Sequence, residues 1–300
     1  MPGARRLATT PGHVDSRMDG TALALRLQDR QRKPLMRHGR VKLEMHDAVA
    51  VLTLNDPAVL NAFGVKLRED MRQAMAQVEA SEARCLVITG TGRAFCSGAN
   101  LNDPDRPERD RAAEARGEAK SDLEDWYNPM CLRLRALPIP VVTAINGIAA
   151  GAGMSLALSG DIRIAARSAY FLQAFARIGL VPDCGSSWIL PRMIGMARAM
   201  ELSMLAERLP AETALAWGLI NRLEDDAALL PSAMTVAAGL AAGPRSLGLI
   251  RQMYWASLEN RYEEQLGLEA KLQTQAAMTE DYAEGVSAFR EKRAARFMGR

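Results

Sequence analysis

Two stretches rich in small residues carry the pattern that could do chemistry in this chain. The first, IAAGAGMSLALSGDI at 148–162, places Gly151, Ala152 and Gly153 directly before an apolar helical pattern. Small residues at the start of a helix leave backbone N–H groups unobstructed, and the helix dipole adds about +0.5 charge there. This turn could hold a negative charge and stabilise an enolate, although close packing would explain the same small residues.

Two other interpretations of this stretch fail on particular residues. A dinucleotide-binding fingerprint requires a small residue where Leu156 stands. A hydrolase nucleophile elbow would use Ser155, but all three histidines precede that serine, whereas the hydrolase fold requires its histidine to follow. The scarcity of histidine also argues against metal-dependent hydrolysis. We therefore expect Ser155 to hydrogen-bond back to its own helix backbone.

The second stretch, TGTGRAFCSGANL at 89–101, closes a buried strand with the turn Ser97-Gly98-Ala99. A single turn of this kind is common. Two such turns, each following a strand and each opening toward a helix or loop, could each supply one N–H group to the same oxygen atom. The pair therefore points toward an oxyanion site.

Alternating strand and helix patterns position these two turns. A strand pattern at 48–54 ends at a turn, a helix pattern spans 64–83, and a buried strand follows at 85–90. An amphipathic stretch at 120–137 then leads into a further strand, PVVTAING. This alternation predicts an α/β fold with parallel strands in right-handed units. The charged segment 102–120 is expected to form a solvated flap or a mobile loop.

Helices dominate from about residue 196 onward, with helical patterns at 197–206, 211–217, 230–242, 244–277 and 279–296. Their apolar stripes must be buried against the core or against a neighbouring subunit. We therefore divide the chain into a core at 41–195 and a helical region at 196–300. The arginine-rich segment 1–40 lacks the apolar run of a secretory signal and is expected to be a disordered tail, with a transit-like segment or an over-long start site as the alternatives.

Composition limits the partners and the compartment. Of the 300 residues, 48% are hydrophobic and 24% are charged, which is typical of a globular protein. The net charge of +3 is too small to indicate nucleic-acid binding, and the apolar runs are shorter than the roughly 20 residues of a membrane span. Four cysteines without CxxC spacing predict reduced thiols and a cytoplasmic protein. Of these, Cys96 and Cys184 are expected to be packing residues.

The segments AFCSGANL and INGIAAGAGMSLALSGDI, with LNAF at 60–63, resemble the crotonase superfamily of enoyl-CoA hydratases and isomerases. The resemblance covers about residues 40–300. It implies a crotonase-type spiral of ββα units with a helical C-terminal trimerisation region, assembled as a homotrimer or a dimer of trimers. It also implies an acyl-CoA substrate, of which coenzyme A is itself a part, with no separate cofactor and no metal.

Members of this superfamily hold the thioester oxygen between two peptide N–H groups, and the matching donors here are Ala99 and Ala152. The resemblance further implies contacts to coenzyme A from residues near the two turns and near the C-terminus: Val59, Ala62, Ser97, Gly98, Ala99, Asn100, Leu101, Gly151, Phe289 and Lys292. Phe289 and Lys292 lie in AFREKRAARF and would approach the nucleotide from a neighbouring subunit. An ordinary solvated helix face would explain these two residues equally well.

Hydratases of the superfamily use two glutamates, but their positions are occupied here by Ser155 and Phe175, and neither is a base at neutral pH. The run AFARIGLVPDCGSSW instead resembles ring-epoxyphenylacetyl-CoA isomerases and Δ3,Δ2-type isomerases, in which an aspartate shuttles the proton. The matching residue is Asp183. The same aspartate matches the nucleophile of 4-chlorobenzoyl-CoA dehalogenase, but the aromatic pocket and base histidine of that enzyme are not evident.

Two local environments are open for Asp183. As the N-cap of a helix that begins near Gly185, its carboxylate would stay ionised and would be a poor base. Burial beside Phe175 and Trp188 would instead raise its pKa toward a useful value. The resemblance favours the second environment and an isomerase of unsaturated acyl-CoA. An enoyl-CoA hydratase and a catalytically silent acyl-CoA-binding paralogue are the alternatives.

Overall fold

The computed structural model describes the backbone of residues 33–37 and the whole of residues 39–300. The predicted tail at 1–40 therefore lies almost wholly outside the described residues. Its last part includes a strand, Lys33–Arg37, which pairs antiparallel with Val41–His46. Regular structure thus begins before residue 41, where the predicted core starts.

Eleven strands lie within the described residues and form two sheets. In chain order they are β1 (Lys33–Arg37), β2 (Val41–His46), β3 (Val49–Leu54), β4 (Cys85–Gly90), β5 (Ala94–Cys96), β6 (Val141–Ile145), β7 (Ile148–Ala150), β8 (Ile162–Ala166), β9 (Tyr170–Leu172), β10 (Leu209–Pro210) and β11 (Arg222–Glu224). The larger sheet has the order β1-β2-β3-β4-β6-β8-β11, and the smaller has the order β10-β9-β7-β5. From β3 to β11 the larger sheet is parallel, which confirms the predicted α/β class.

The α-helices of the described residues are α1 (Val65–Ala80), α2 (Arg111–Ala115), α3 (Asn128–Ala136), α4 (Ala152–Leu158), α5 (Ser186–Ile194), α6 (Met196–Leu205), α7 (Ala211–Ala216), α8 (Leu229–Ala241), α9 (Ser246–Ser257), α10 (Tyr262–Ala277) and α11 (Glu280–Glu291). A π-helical segment, Leu123–Tyr127, leads into α3, and a 3-10 helix, Ala174–Ile178, follows β9. Within residues 33–37 and 39–300, no single helix is long and apolar enough to cross a bilayer. The segments Asp226–Ala241 and Ser246–Ser257 would meet that criterion only together, as a pair bent by 105°.

The core surrounds the central strands of the larger sheet. β4 is buried from Cys85 to Thr89, and β6 is buried throughout, as expected for central strands of a parallel sheet. The helix predicted at 64–83 is α1, and its apolar positions at helical spacing are the ones it buries: Leu67, Met71, Ala74, Met75 and Val78. The small residues Ala233, Ala237 and Ala241 of α8 let this helix approach β4 and β6.

The region after residue 196 is mainly helical, as predicted, but two boundaries differ. The helix predicted at 244–277 is two helices, because α10 starts anew with a capping box in which the Arg261 N–H donates to Glu264 Oε2 at 2.9 Å. The helix predicted at 279–296 ends at Glu291, where Lys292 adopts a φ of +53° and Arg293 pairs with Glu284. The residue pattern does not predict the strands of the smaller sheet, since strands of two or three residues are too short to show alternation; only the ββα units implied by the resemblance call for them.

A buried arginine joins the helical region to the core. Arg251 of α9 is 6% exposed, and it donates to Asp161 Oδ2 at 2.7 Å. It also donates to carbonyls at the C-terminal end of α3, those of Leu134 (2.8 Å), Arg135 and Leu137 (2.9 Å). The last carbonyls of a helix have no partner within the helix. Arg251 therefore caps α3 from a segment more than one hundred residues away in the chain.

We predict that Arg251→Met lowers the free energy of unfolding by about 3–5 kcal/mol, because it leaves Asp161 and the carbonyls of α3 without their buried partner. Urea unfolding followed by circular dichroism measures this change. Arg167→Met is the matched control, since the Arg167–Asp225 pair is exposed and should contribute at most about 1 kcal/mol. Equal losses in the two variants would contradict the prediction.

Candidate active site

The two small-residue turns meet at one edge of the smaller sheet. β5 and β7 are parallel neighbours, so the turns that follow them leave the sheet at the same end. A Cβ atom on Gly98 would lie only 2.9 Å from the carbonyl oxygen of Ala150 and 3.6 Å from the backbone nitrogen of Ala152. Gly98 also has a φ of +97°, a conformation that favours glycine. The contact between the turns therefore requires glycine at this position.

Backbone pairing leaves the Ala99 N–H unpaired on the first turn and the Ala152 N–H unpaired on the second. Ala99 forms a parallel bridge with Phe63, in which the Phe63 N–H donates to Gly98 O at 2.7 Å and the Asn100 N–H donates to Phe63 O at 3.2 Å. This pattern turns the Ala99 N–H away from Phe63. Ala152 is the first residue of α4, so its N–H has no partner within the helix. Neither N–H finds an acceptor among the described residues.

The main chain at Asp183 is fastened to the helix that begins at Ala152. The carbonyl oxygen of Asp183 accepts from the Ser186 N–H at 3.0 Å and from Ser186 Oγ at 2.8 Å. Ser155 Oγ lies 3.3 Å from the same oxygen and 3.4 Å from Gly151 O, the helix contact expected for this serine. Ser155 therefore links the position of Asp183 to the start of α4.

The carboxyl group of Asp183 does not cap a helix. The N-cap of α5 is Gly185, and no side chain caps that helix. Asp183 Oδ1 is instead buried without a hydrogen-bond partner among the described residues. Burial raises the pKa of the Asp183 carboxyl above its ordinary value, and a hydrogen bond from the Cys184 thiol offsets part of that rise. The N-cap interpretation is therefore wrong, and burial determines the direction of the shift.

Two cavities lie on either side of the meeting turns. The first, of about 650 Å³, is lined by most of the residues expected to contact coenzyme A: Val59, Ala62, Ser97, Ala99, Asn100 and Leu101. Arg40, Lys66 and Arg93 also line it. Arg40 pairs with Asp56 and Lys66 with Asp105, whereas Arg93 has no ion-pair partner in the described part of the chain. Gly98 and Gly151, also expected to contact coenzyme A, do not line this cavity and lie instead in the contact between the turns.

The second cavity, of about 560 Å³, has an aromatic wall and contains Ala152, Ser155 and Cys184. Its aromatic residues come from four separate parts of the chain, with Trp126 and Tyr127 in the same π-helical segment: Phe63, Trp126, Tyr127, Trp188 and Trp255. The rings of Trp126 and Tyr127 meet at 4.8 Å between centroids, and those of Trp188 and Trp255 at 6.3 Å. Burial raises the pKa of Tyr127, so its phenol is neutral. This cavity suits an apolar or aromatic group.

Several wall residues have no signal in the sequence pattern. Cys131 and Arg135 lie on α3, whereas Trp255 lies on α9 and Glu259 just beyond it. Arg135 pairs with Glu259 at 2.6 Å, and its guanidinium lies 4.8 Å from the ring centroid of Trp188. In the sequence these positions look like ordinary helix residues. Only the tertiary fold places them around the second cavity.

The charged segment 102–120 and the C-terminal residues Phe289 and Lys292 do not line the second cavity. From the flap, Asp103 and Asp105 line the first cavity, and Asp103 Oδ2 accepts the Val65 N–H at the start of α1. Phe289 is 86% exposed on α11, and Lys292 follows the end of that helix. Neither residue lines either cavity within the single chain.

Comparisons with known proteins agree on one family. The family model described as Enoyl-CoA hydratase/isomerase matches residues 44–300. A 1,2-epoxyphenylacetyl-CoA isomerase from Escherichia coli (strain K12) is 46% identical over 257 residues, which cover 84% of this chain and 95% of the relative. A probable enoyl-CoA hydratase from Rhodobacter capsulatus is 42% identical over 266 residues, 88% of this chain and 100% of the relative. The crystal structure of a putative enoyl-CoA hydratase/isomerase from Mycobacterium abscessus is similar with a TM-score of 0.80 and 33% identity, and the match covers 87% of this chain and 100% of that one.

We predict that Asp183 titrates above the ordinary aspartate value of about 3.9, because burial disfavours its charged form. Carbon-13 NMR of protein labelled at aspartate carboxyl groups measures this pKa, and Asp183→Asn identifies the resonance. Cys184→Ala should raise the pKa further, since it removes a hydrogen bond to the carboxylate. Cys184→Ser keeps a donor and should stay closer to the wild type. Titration of Asp183 below the ordinary value, or a fall in Cys184→Ala, would contradict this account.

Proposed function

The chain belongs to the enoyl-CoA hydratase/isomerase family, and we propose that it isomerises an unsaturated or ring-epoxide-derived acyl-CoA with Asp183 as the proton shuttle. The environment of Asp183 carries this proposal. One carboxyl oxygen is buried without a partner, its pKa is raised, and its main chain is held by the helix that begins at Ala152. A carboxyl group whose pKa is raised by burial is a stronger base than an ordinary aspartate once it is ionised, and it can accept and return a proton. The name of the Escherichia coli relative supports the same reaction class.

In our proposal the two cavities divide the substrate between them. Coenzyme A occupies the first cavity, where Arg93 offers a cation to its phosphates. The acyl group enters the aromatic second cavity. Because Ala99 lines the first and Ala152 the second, the thioester oxygen lies at their junction, within reach of both free N–H groups.

The proposed reaction moves one proton. The Asp183 carboxylate takes a proton from an acyl carbon, and the electron pair of the broken C–H bond flows toward the thioester oxygen. The N–H groups of Ala99 and Ala152 stabilise the resulting enolate by donating hydrogen bonds to its negatively charged oxygen. Asp183 then returns the proton to a different carbon, so the double bond has shifted and no atom is gained or lost.

Two observations weigh against hydration. The Ser155 hydroxyl has carbonyl acceptors at Gly151 and Asp183. Phe175 is buried, and its ring tip lies 3.9 Å from where a Cβ of Gly151 would stand. Neither side chain can ionise to activate a water molecule. Asp183 is therefore the one carboxylate at the three positions 155, 175 and 183. Proton shuttling needs a single acidic group and fits this set, whereas hydration by a pair of carboxylates does not.

We further propose that the protein works as a homotrimer or a dimer of trimers. Large apolar side chains on one helix support this, since Met196, Met200, Met204 and Leu205 of α6 are each 45–66% exposed. The C-terminal helices also expose large apolar side chains to solvent, and Phe289 is among the most exposed of them. In such an assembly Phe289 and Lys292 would serve the coenzyme A site of a neighbouring subunit.

Asp183→Asn should reduce double-bond migration by about 10²–10⁴-fold, the usual effect of removing a positioned base. It should also abolish deuterium uptake at the acyl carbons in D2O, while acyl-CoA binding persists. Mass spectrometry of products from a panel of enoyl-CoA substrates measures both reactions. Asp47→Asn, in the exposed turn between β2 and β3, is the matched control and should keep full activity.

Three outcomes of this experiment would overturn the assignment in different ways. Isomerisation at the wild-type rate by Asp183→Asn would remove the shuttle role. A 3-hydroxyacyl-CoA as the main wild-type product would establish hydration instead. Binding of acyl-CoA by the wild type with no turnover in either direction would identify a silent paralogue.

Gly98→Ala should lower turnover about 10²-fold, because a Cβ there pushes the two turns apart and displaces one oxyanion donor. Gly218→Ala is the matched control. It has a similar positive φ, +79°, but nothing lies within 4 Å of the added atom, so it should lose stability without losing turnover. Steady-state kinetics on folded protein compares the two. Equal turnover in both variants would show that contact between the turns is not needed for catalysis.

A further inference from the structure

Two cysteines from distant parts of the chain meet on the wall of the second cavity. Cys131 lies on α3, and Cys184 follows Asp183 in the loop before α5. Cys131 Sγ is 3.7 Å from the backbone carbonyl oxygen of Cys184. Both side chains line the cavity. The sequence predicts that Cys184 is a packing residue. That role does not explain why a second thiol, Cys131, lies against it.

We propose that Cys131 and Cys184 form a reversible disulfide, a redox modification site on the acyl cavity whose oxidant is a small peroxide. The location of the pair supports this, because the cavity gives a small oxidant a route to Cys131, which is only partly buried. Disulfide geometry needs the two sulfur atoms to come within about 2.05 Å of each other. Because Cys131 Sγ already lies 3.7 Å from the main chain of Cys184, rotation of the two side chains is the movement that closing the bond requires.

The other two thiols of the chain differ from this pair. Cys85 in β4 and Cys96 in β5 are buried in the core. Burial raises the pKa of each to about 12. The neighbouring Cys184 thiol lowers the pKa of Cys131, and the Cys131 thiol in turn raises the pKa of Cys184. Cys131 is therefore the thiol that ionises first, and the thiolate is the reactive form.

The reaction balances with hydrogen peroxide as the oxidant. The Cys131 thiolate attacks one peroxide oxygen, the O–O bond breaks, and the departing hydroxide takes up the proton to become water. Cys131 is then a sulfenic acid. The Cys184 sulfur attacks the Cys131 sulfur, the S–O bond breaks, and a second water leaves with the Cys184 proton. Two thiols are oxidised to one disulfide while one peroxide is reduced to two waters.

The disulfide would act on the site through Asp183, and this consequence rests on the proposed function. The Cys184 thiol donates to the Asp183 carboxyl, so oxidation removes that donor. It also ties the loop that carries Asp183 to α3, across a wall of the acyl cavity. Because a displacement of about 1 Å at a reacting centre can cost about 10²-fold in rate, we expect the oxidised protein to be at least about ten-fold less active.

The test treats the full-length protein with hydrogen peroxide, alkylates the remaining thiols under denaturing conditions, and maps the peptides by mass spectrometry. We expect a cross-link between Cys131 and Cys184 with loss of two hydrogens, alkylation of Cys85 and Cys96, and reversal by dithiothreitol. The matched variants Cys131→Ser and Cys184→Ser should show no loss of two hydrogens. In each protein, activity after peroxide is compared with activity before it. Only the wild type should show a loss that dithiothreitol restores.

Each other result overturns the proposal or a named part of it. Four alkylated thiols after peroxide, a cross-link that includes Cys85 or Cys96, or oxygen added to Cys131 without a cross-link would reject the disulfide site. A Cys131–Cys184 cross-link with unchanged activity would reject its control of the reaction. The peptide map needs no substrate. A reduced protein without isomerase activity would therefore contradict the proposed function alone, while the cross-link decides the modification site independently.

Discussion

The close approach of two turns is the constraint on which the rest of the site depends. Gly98 lies so near Ala150 and Ala152 that no side chain fits between the turns. The parallel pairing of β5 and β7 brings the turns to one edge of the smaller sheet. The bridge between Phe63 and Ala99 pairs the backbone groups on either side of the Ala99 N–H, and the start of α4 leaves the Ala152 N–H without a helical partner, so an N–H remains free on each turn. The two cavities take their positions from this contact, since Ala99 lines one and Ala152 the other.

The sequence predicts the parts of this site that depend on local residue types. Small residues at 97–99 and 151–153 mark the two turns, and the periodicity of α1 marks the residues it buries. The walls of the second cavity escape prediction, because Cys131 and Trp255 come together only through tertiary packing. The interpretation of Asp183 as a helix N-cap is wrong because the path of the backbone after it is not evident from the sequence. Cys184 and Gly185 both adopt positive φ values, +51° and +77°, and local sequence does not show that the chain turns there before α5 begins.

Asp183 is held in an environment that disfavours its charged form. An unpartnered buried carboxyl oxygen costs stability, and the surrounding hydrogen bonds fix the main chain without neutralising the side chain. Because the folded-state pKa is raised, the stability associated with the protonated group is fully present below the unfolded pKa and is lost as pH rises through the folded pKa. At neutral pH the fold therefore carries a destabilising group, a common property of residues that perform chemistry.

The hydrogen bonds from Arg251 to the end of α3 also affect when this part of the fold can be completed during synthesis. Chains emerge from the ribosome N-terminus first, and segments fold as they become available. When α3 emerges, the partner of its last carbonyls is still more than one hundred residues from being synthesised. The wall of the second cavity built from Cys131 and Arg135 must therefore wait for α9, which supplies both Arg251 and Trp255. A chain that ends before α9 lacks both Arg251 and Trp255, and it therefore lacks the cap of α3 and one aromatic wall of the second cavity.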